Sequence, residues 1–137
     1  MKSLLLLPML MLGILFTSCK KEEIIQQEVV QPNRTIIFEV QSSAWKLNNN
    51  THTWMAELPI DELDDDVNQN SGILVYISGN KQLWEPIPDV YNGSTYIYTY
   101  TTGSIFLEVQ GADGATIPAP NSTTFVKVVL VDSAPIP

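Results

Sequence analysis

Histidine, cysteine and closely spaced carboxylates are the residues with which a small chain does covalent or metal chemistry. This chain has one histidine, His52, and one cysteine, Cys19. A serine or cysteine nucleophile needs an imidazole base beside it. His52 sits next to Asn48-Asn49-Asn50-Thr51, a polar cluster in which a solvated side chain is expected. A lone cysteine forms no internal disulfide, no CxxC metal site and no redox pair. The fifteen acidic residues could supply paired carboxylates. Acid–base work, however, requires a carboxyl group whose pKa is raised by burial, which spacing alone does not give.

Two constellations remain. Asp64, Asp66, Asn68 and Asn70 have the alternate spacing of a calcium loop, but Gln69 stands where such a loop needs glycine and Val75 where it needs a bidentate glutamate. The expectation is therefore a solvated acidic segment, with no metal and no cofactor. The second constellation is aromatic. Trp45, Trp84, Tyr96, Tyr98 and Tyr100 are the candidate ligand-binding residues, a stacking platform for a glycan or a protein segment. Trp54 and Tyr91 belong to the same set by type. Alternating aromatics on a strand also make an ordinary packed face, and for Trp54 that core reading is preferred.

Cys19 has a chemical explanation in its setting. Lys2 precedes an apolar run from Leu4 to Phe16, and the small residues Thr17 and Ser18 lead into the thiol. This is the layout of an export signal. With Pro8 and Gly13 inside it, the run is shorter than the roughly 20 apolar residues of a stable membrane span. Leu15-Phe16-Thr17-Ser18-Cys19 resembles the lipobox of bacterial lipoproteins, with Phe16 in place of the usual small aliphatic residue. The resemblance implies cleavage before Cys19 and a diacylglyceryl thioether on its sulfur. Two or three acyl chains, palmitate among them, hold a protein on a membrane where a single chain does not. Lys20-Lys21-Glu22-Glu23 is similar to the lysine-acidic signal that directs some Gram-negative lipoproteins to the outer face of the outer membrane, and it reads equally well as a solvated tether.

The signal carries one basic residue and no acid, so the net charge of −8 becomes −9 in the mature chain. A surface this acidic argues against nucleic acid and against electrostatic docking on anionic lipid. The expected organisation is a cleaved signal over 1–18, a charged Gln-rich tether over 19–34, a single domain over 35–133 and a tail over 134–137.

The domain must position the aromatics, and its texture is that of strands. Thr35 to Gln41 puts Ile36, Phe38 and Val40 on one face. Trp45–Leu47 and His52–Leu58 flank the Asn cluster as a hairpin, with Trp54, Ala56 and Leu58 aligned. Ile60, Leu63 and Val67 recur at helical spacing, predicting a short helix or turn near 60–68. Gly72–Ser78 is so uniformly apolar that a central strand is expected. Gln82–Glu85 reads as an edge strand stopped by Pro86 and Pro88. Asn92-Gly93 is the clearest hairpin turn, leading into Thr95–Thr101 with Tyr96, Tyr98 and Tyr100 on one face. A strand after Gly103 aligns Ile105, Leu107 and Val109, a loop runs from Gly111 to Asn121, and Thr124–Val131 closes the domain. The fold class is all-β: one antiparallel sandwich of Greek-key or jelly-roll type with about eight strands.

Ile37-Phe38-Glu39-Val40 through Trp45, Trp54-Met55-Ala56-Glu57-Leu58, Gly72-Ile73-Leu74-Val75-Tyr76 and the closing Thr123 to Val129 resemble a family of small uncharacterised Gram-negative lipoproteins. Some of its members carry collagen-like Gly-rich repeats between anchor and domain, where this chain has its charged linker. The resemblance implies a lipid anchor and a C-terminal β-domain and no particular activity. Asp132-Ser133-Ala134 is similar to an O-glycosylation acceptor of some periplasms. The leading expectation is a lipid-anchored, non-enzymatic envelope module on the outer membrane that binds a glycan or protein ligand. The alternatives are an accessory subunit of an envelope complex, marked by a bare strand edge, and a small glycan-acting enzyme, marked by a cleft with two carboxylates within about 10 Å.

Overall fold

The computed structural model describes residues 32–133. The signal, Cys19 with the tether up to residue 31, and residues 134–137 lie outside the described residues.

Among the described residues, nine strands form two antiparallel sheets. They are β1 (Arg34–Val40), β2 (Lys46–Asn48), β3 (Thr53–Pro59), β4 (Gly72–Ser78), β5 (Glu85–Ile87), β6 (Asp89–Tyr91), β7 (Ser94–Thr101), β8 (Ser104–Gly111) and β9 (Thr124–Val131). Sheet 1 has the order β1-β9-β4-β5 and sheet 2 the order β2-β3-β8-β7-β6. The expected β-sandwich is thus present, with one strand more than the eight anticipated, because the 85–91 segment splits between the sheets. β6, β7 and β8 form a meander, and β8 returns beside β3 after the chain has passed through β4 and β5 of sheet 1.

Alternation explains the core. β8 is buried at every second residue, with Ile105, Leu107, Val109 and Gly111 inward. β9 does the same with Val126, Val128 and Leu130. Register then sets three inward rows on sheet 2: Trp54–Val109–Tyr96, Ala56–Leu107–Tyr98 and Leu58–Ile105–Tyr100. Facing them on sheet 1 are Ile36–Val128–Val75–Ile87 and their neighbours. All of these residues except Tyr100 join one hydrophobic cluster with Ile60, Leu63 and Val67 from the connection between β3 and β4.

The acidic connection holds a short helix, α1, over Asp65–Asn70. It begins later than the helical spacing suggests, because Asp64 caps it: the Val67 N–H donates to Asp64 Oδ1 at 2.9 Å. Asp65 and Asp66 follow in its first turn, where the helix dipole favours negative charge. Only the third of the three spaced apolar residues is helical, yet all three are buried.

One expectation is corrected. Residues 82–84 are not a strand; the edge strand of sheet 1 is β5, and Pro86 lies inside it. An edge tolerates proline because no ladder partner waits on its outer side. β4 is central, as expected, between β9 and β5, with Leu74 46% exposed on its outer face. The turn between β6 and β7 behaves as its residues dictate, with Asn92 at φ 49° and Gly93 at φ 77°.

A candidate binding cavity at one end of the sandwich

The loop after β8 shapes the site. Gly111 ends β8 where a Cβ would stand 2.7 Å from Asp113 Oδ1 and 2.8 Å from the Ala115 carbonyl oxygen, so no larger residue fits. Its N–H donates to that carbonyl at 3.0 Å, turning the chain back over the end of the sandwich. The Trp54 indole N–H then donates to the Ile117 carbonyl at 2.9 Å. A core tryptophan therefore pins the loop that carries Pro118, Pro120, Asn121 and Ser122.

Under this loop lies a cavity of about 410 Å³. Its apolar wall is Trp45, Tyr96, Val109, Ile117, Pro118 and Pro120. Its polar lining residues are Asn92, Ser94, Asn121, Ser122 and Thr124, and among the described residues no charged one lines it. The volume falls in the range of pockets that take small ligands, and the mixture of rings with a few convergent amides and hydroxyls is what such pockets use.

The structure separates the five predicted ligand residues. Trp45 and Tyr96 come together here, although they are far apart in the chain; Trp45 precedes β2 and is only 7% exposed, and Tyr96 is half-buried on β7. Tyr98 points inward and its hydroxyl donates to the Ile73 carbonyl at 2.6 Å, tying sheet 2 to sheet 1. Burial, with Tyr100 nearby, pushes its pKa above the usual 10.0. Tyr100 stacks on Tyr98 at 6.5 Å and remains 38% exposed, at the far end of β7. Trp84 lies on the outer face of sheet 1, with the Lys127 ammonium 4.7 Å from its ring centre and 4.6 Å from that of Tyr76. The tyrosine face of β7 is therefore mostly an inner surface and not a stacking platform.

Sequence reasoning missed Asn92, Asn121 and Ser122, which read there as turn and loop residues. The available signal was loop length: a long connection without its own regular structure is uncommon in a small domain and tends to carry function.

Other candidate chemistry resolves into structure. His52 is exposed at φ 57° in the β2–β3 loop. Asp66 accepts from the Asn70 amide at 2.6 Å within α1, and no group of three metal-ligating side chains gathers among the described residues. A broader groove of about 840 Å³ runs over the outer side of β2 and β3. Glu57 is the one acid in its lining, so it holds no carboxylate pair. Ser133 donates to the Asn70 carbonyl, while Ala134, the last of the glycosylation triplet, lies outside the described residues.

No protein-family model, curated protein or solved structure matches this chain.

Proposed function

We propose that this chain is a lipid-anchored module of the Gram-negative envelope, held on the outer membrane through Cys19, that binds a neutral glycan in the end cavity and carries out no catalysis. The likeness to small lipoproteins with a C-terminal β-domain and the lipobox-like residues before Cys19 support the address. The observation that carries the binding reading is the lining of the cavity: two aromatic rings and two prolines beside five neutral amide or hydroxyl side chains. A sugar ring offers an apolar C–H face for the rings and hydroxyls for the amides. The absence of charge from the lining disfavours a charged ligand, which would lose its hydration without a partner.

The test uses the full chain extracted from membranes in a detergent without a sugar headgroup. Titration with neutral oligosaccharides of glucose, galactose, mannose and N-acetylglucosamine is read by tryptophan fluorescence and calorimetry. Saturable binding by at least one series is expected, weakened about tenfold by Asn121→Ala, which removes an amide from an exposed loop position without touching the core. No saturable signal from any series, or an unchanged one in Asn121→Ala, overturns the glycan reading. In cells, labelled palmitate should enter the parent and not Cys19→Ala; equal labelling overturns the anchor.

A further inference from the structure

Four strands lie at sheet edges: β1 and β5 in sheet 1, β2 and β6 in sheet 2. Three of them are three residues long, and β5 also contains Pro86. Short strands and prolines are how sheets avoid unwanted edge pairing. β1 has neither protection, with seven residues and no proline. Among the described residues its ladder is with β9 alone, and no other backbone group bonds to it. Charge would be the remaining safeguard, but both charges on β1 are already paired. Arg34 reaches Asp132 at 3.4 Å, and Glu39 accepts from Lys81 at 2.6 Å.

We infer that β1 pairs antiparallel with β1 of a second copy of this chain, across a two-fold axis through Ile37, joining two copies of sheet 1 into one eight-stranded sheet. The sequence of the strand is complementary to itself in this register. Ile37 meets Ile37 on the outer face, Thr35 meets Glu39, and Ile36 meets Phe38 on the inner face. In an antiparallel pair, opposite residues share a face, so the apolar and polar sides of the two copies stay in phase. The pairing also accounts for two burial values. Ile37 is 52% exposed on a strand whose polar residues could have stood there, and Ile36 and Phe38 pack on the core yet remain half-buried because the sandwich is open along β1. A second strand about 4.8 Å away covers all three. This inference uses neither the anchor nor the end cavity.

Variants of the full chain with one added cysteine, oxidised in membranes, test it. Directly opposed positions on paired strands are within disulfide reach, whereas positions two residues off the axis are not. Ile37→Cys is expected to give a disulfide-linked dimer in high yield, and Thr35→Cys, Glu39→Cys and Leu74→Cys little. The parent measures any contribution from Cys19. By light scattering in detergent the parent should run as two copies, and Ile37→Lys, which sets two ammonium groups against each other at an exposed site, as one, with an unchanged circular dichroism spectrum. Equal cross-linking at all four positions, none at position 37, a single-copy parent, or a dimer that persists in Ile37→Lys overturns the inference. A single-copy parent is also the outcome expected if the chain's own residues before 32, or another protein, occupy the edge.

Discussion

The outer faces of the two sheets are built from the same alternation and finished differently. On sheet 2 the outward polar residues close on one another around the apolar Met55, Ile97 and Phe106. Thr99 donates to Glu108 at 3.1 Å, Ser104 to Glu57 at 2.8 Å and Thr53 to Gln110 at 3.1 Å, each across a strand pair. On sheet 1 the corresponding row runs Ile37–Lys127–Tyr76, beside Thr35–Val129–Leu74. There the polar groups are turned onto rings: Lys127 lies over Tyr76 and Trp84, and Lys81 over Phe125 at 4.4 Å. The first face satisfies its own polar groups, with Val90 and Tyr91 exposed only on its edge strand β6. The other leaves aliphatic side chains in water, and contiguous exposed apolar area on a folded chain is associated with contact to something else.

The contrast can be broken or sharpened by substitution, starting with the core that both sheets share. Leu130→Ala removes a fully buried side chain from β9 and should cost about 2–5 kcal/mol of unfolding free energy, read by urea denaturation. A loss near that of a surface site would mean that the two sheets do not share one packed interior. Next is Tyr98→Phe, which deletes the hydrogen bond between sheets and leaves the Ile73 carbonyl without its donor, at about 1–3 kcal/mol.

The same variant has a pH signature. Because the Tyr98 pKa is raised in the folded chain, the unfolded chain releases that proton first as pH rises past 10.0. The stability contributed by the neutral phenol is complete below 10.0 and is lost above it, so the parent should weaken more steeply there than Tyr98→Phe. Parallel curves for the two chains would remove the burial argument for this residue.

The two outer faces give the smallest effects and the most direct comparison. Lys127→Ala removes a cation from two rings at a partly exposed site, costing about 0.5–1 kcal/mol and shifting the Trp84 emission. Thr99→Val on the opposite face, losing one exposed hydrogen bond while keeping a β-branched side chain, should change stability by less than about 0.5 kcal/mol. If Thr99→Val costs more than Lys127→Ala, the description of the two faces is inverted.

Much of the architecture was legible because its signals are local. In β8 Ile105, Leu107 and Val109 align at every second position, and they are buried. Asn92-Gly93 turns where both residues take positive φ. Ile60, Leu63 and Val67 are buried as their spacing implies, although only the last lies in a helix. The sequence is ambiguous where one local pattern suits two environments. The aliphatic run of β4 fits a strand buried on both faces, and an outward Leu74 looks identical in sequence. The tyrosines of β7 fit either a ligand platform or a core layer, and only the position of sheet 1 across from them decides which.

The amino-acid sequence by itself determined most of the strands, the inward faces of β1, β3 and β8, and the hairpin turn, since side-chain periodicity and turn conformation depend on a few neighbouring positions. Tertiary structure alone decided that β1 lies at an edge beside β9, that β3 pairs with β8, and that Trp45 and Tyr96 share one cavity with Asn121. Those meetings join segments separated by tens of residues, and they are selected by how two twisted sheets bury their apolar sides together, which no single segment encodes.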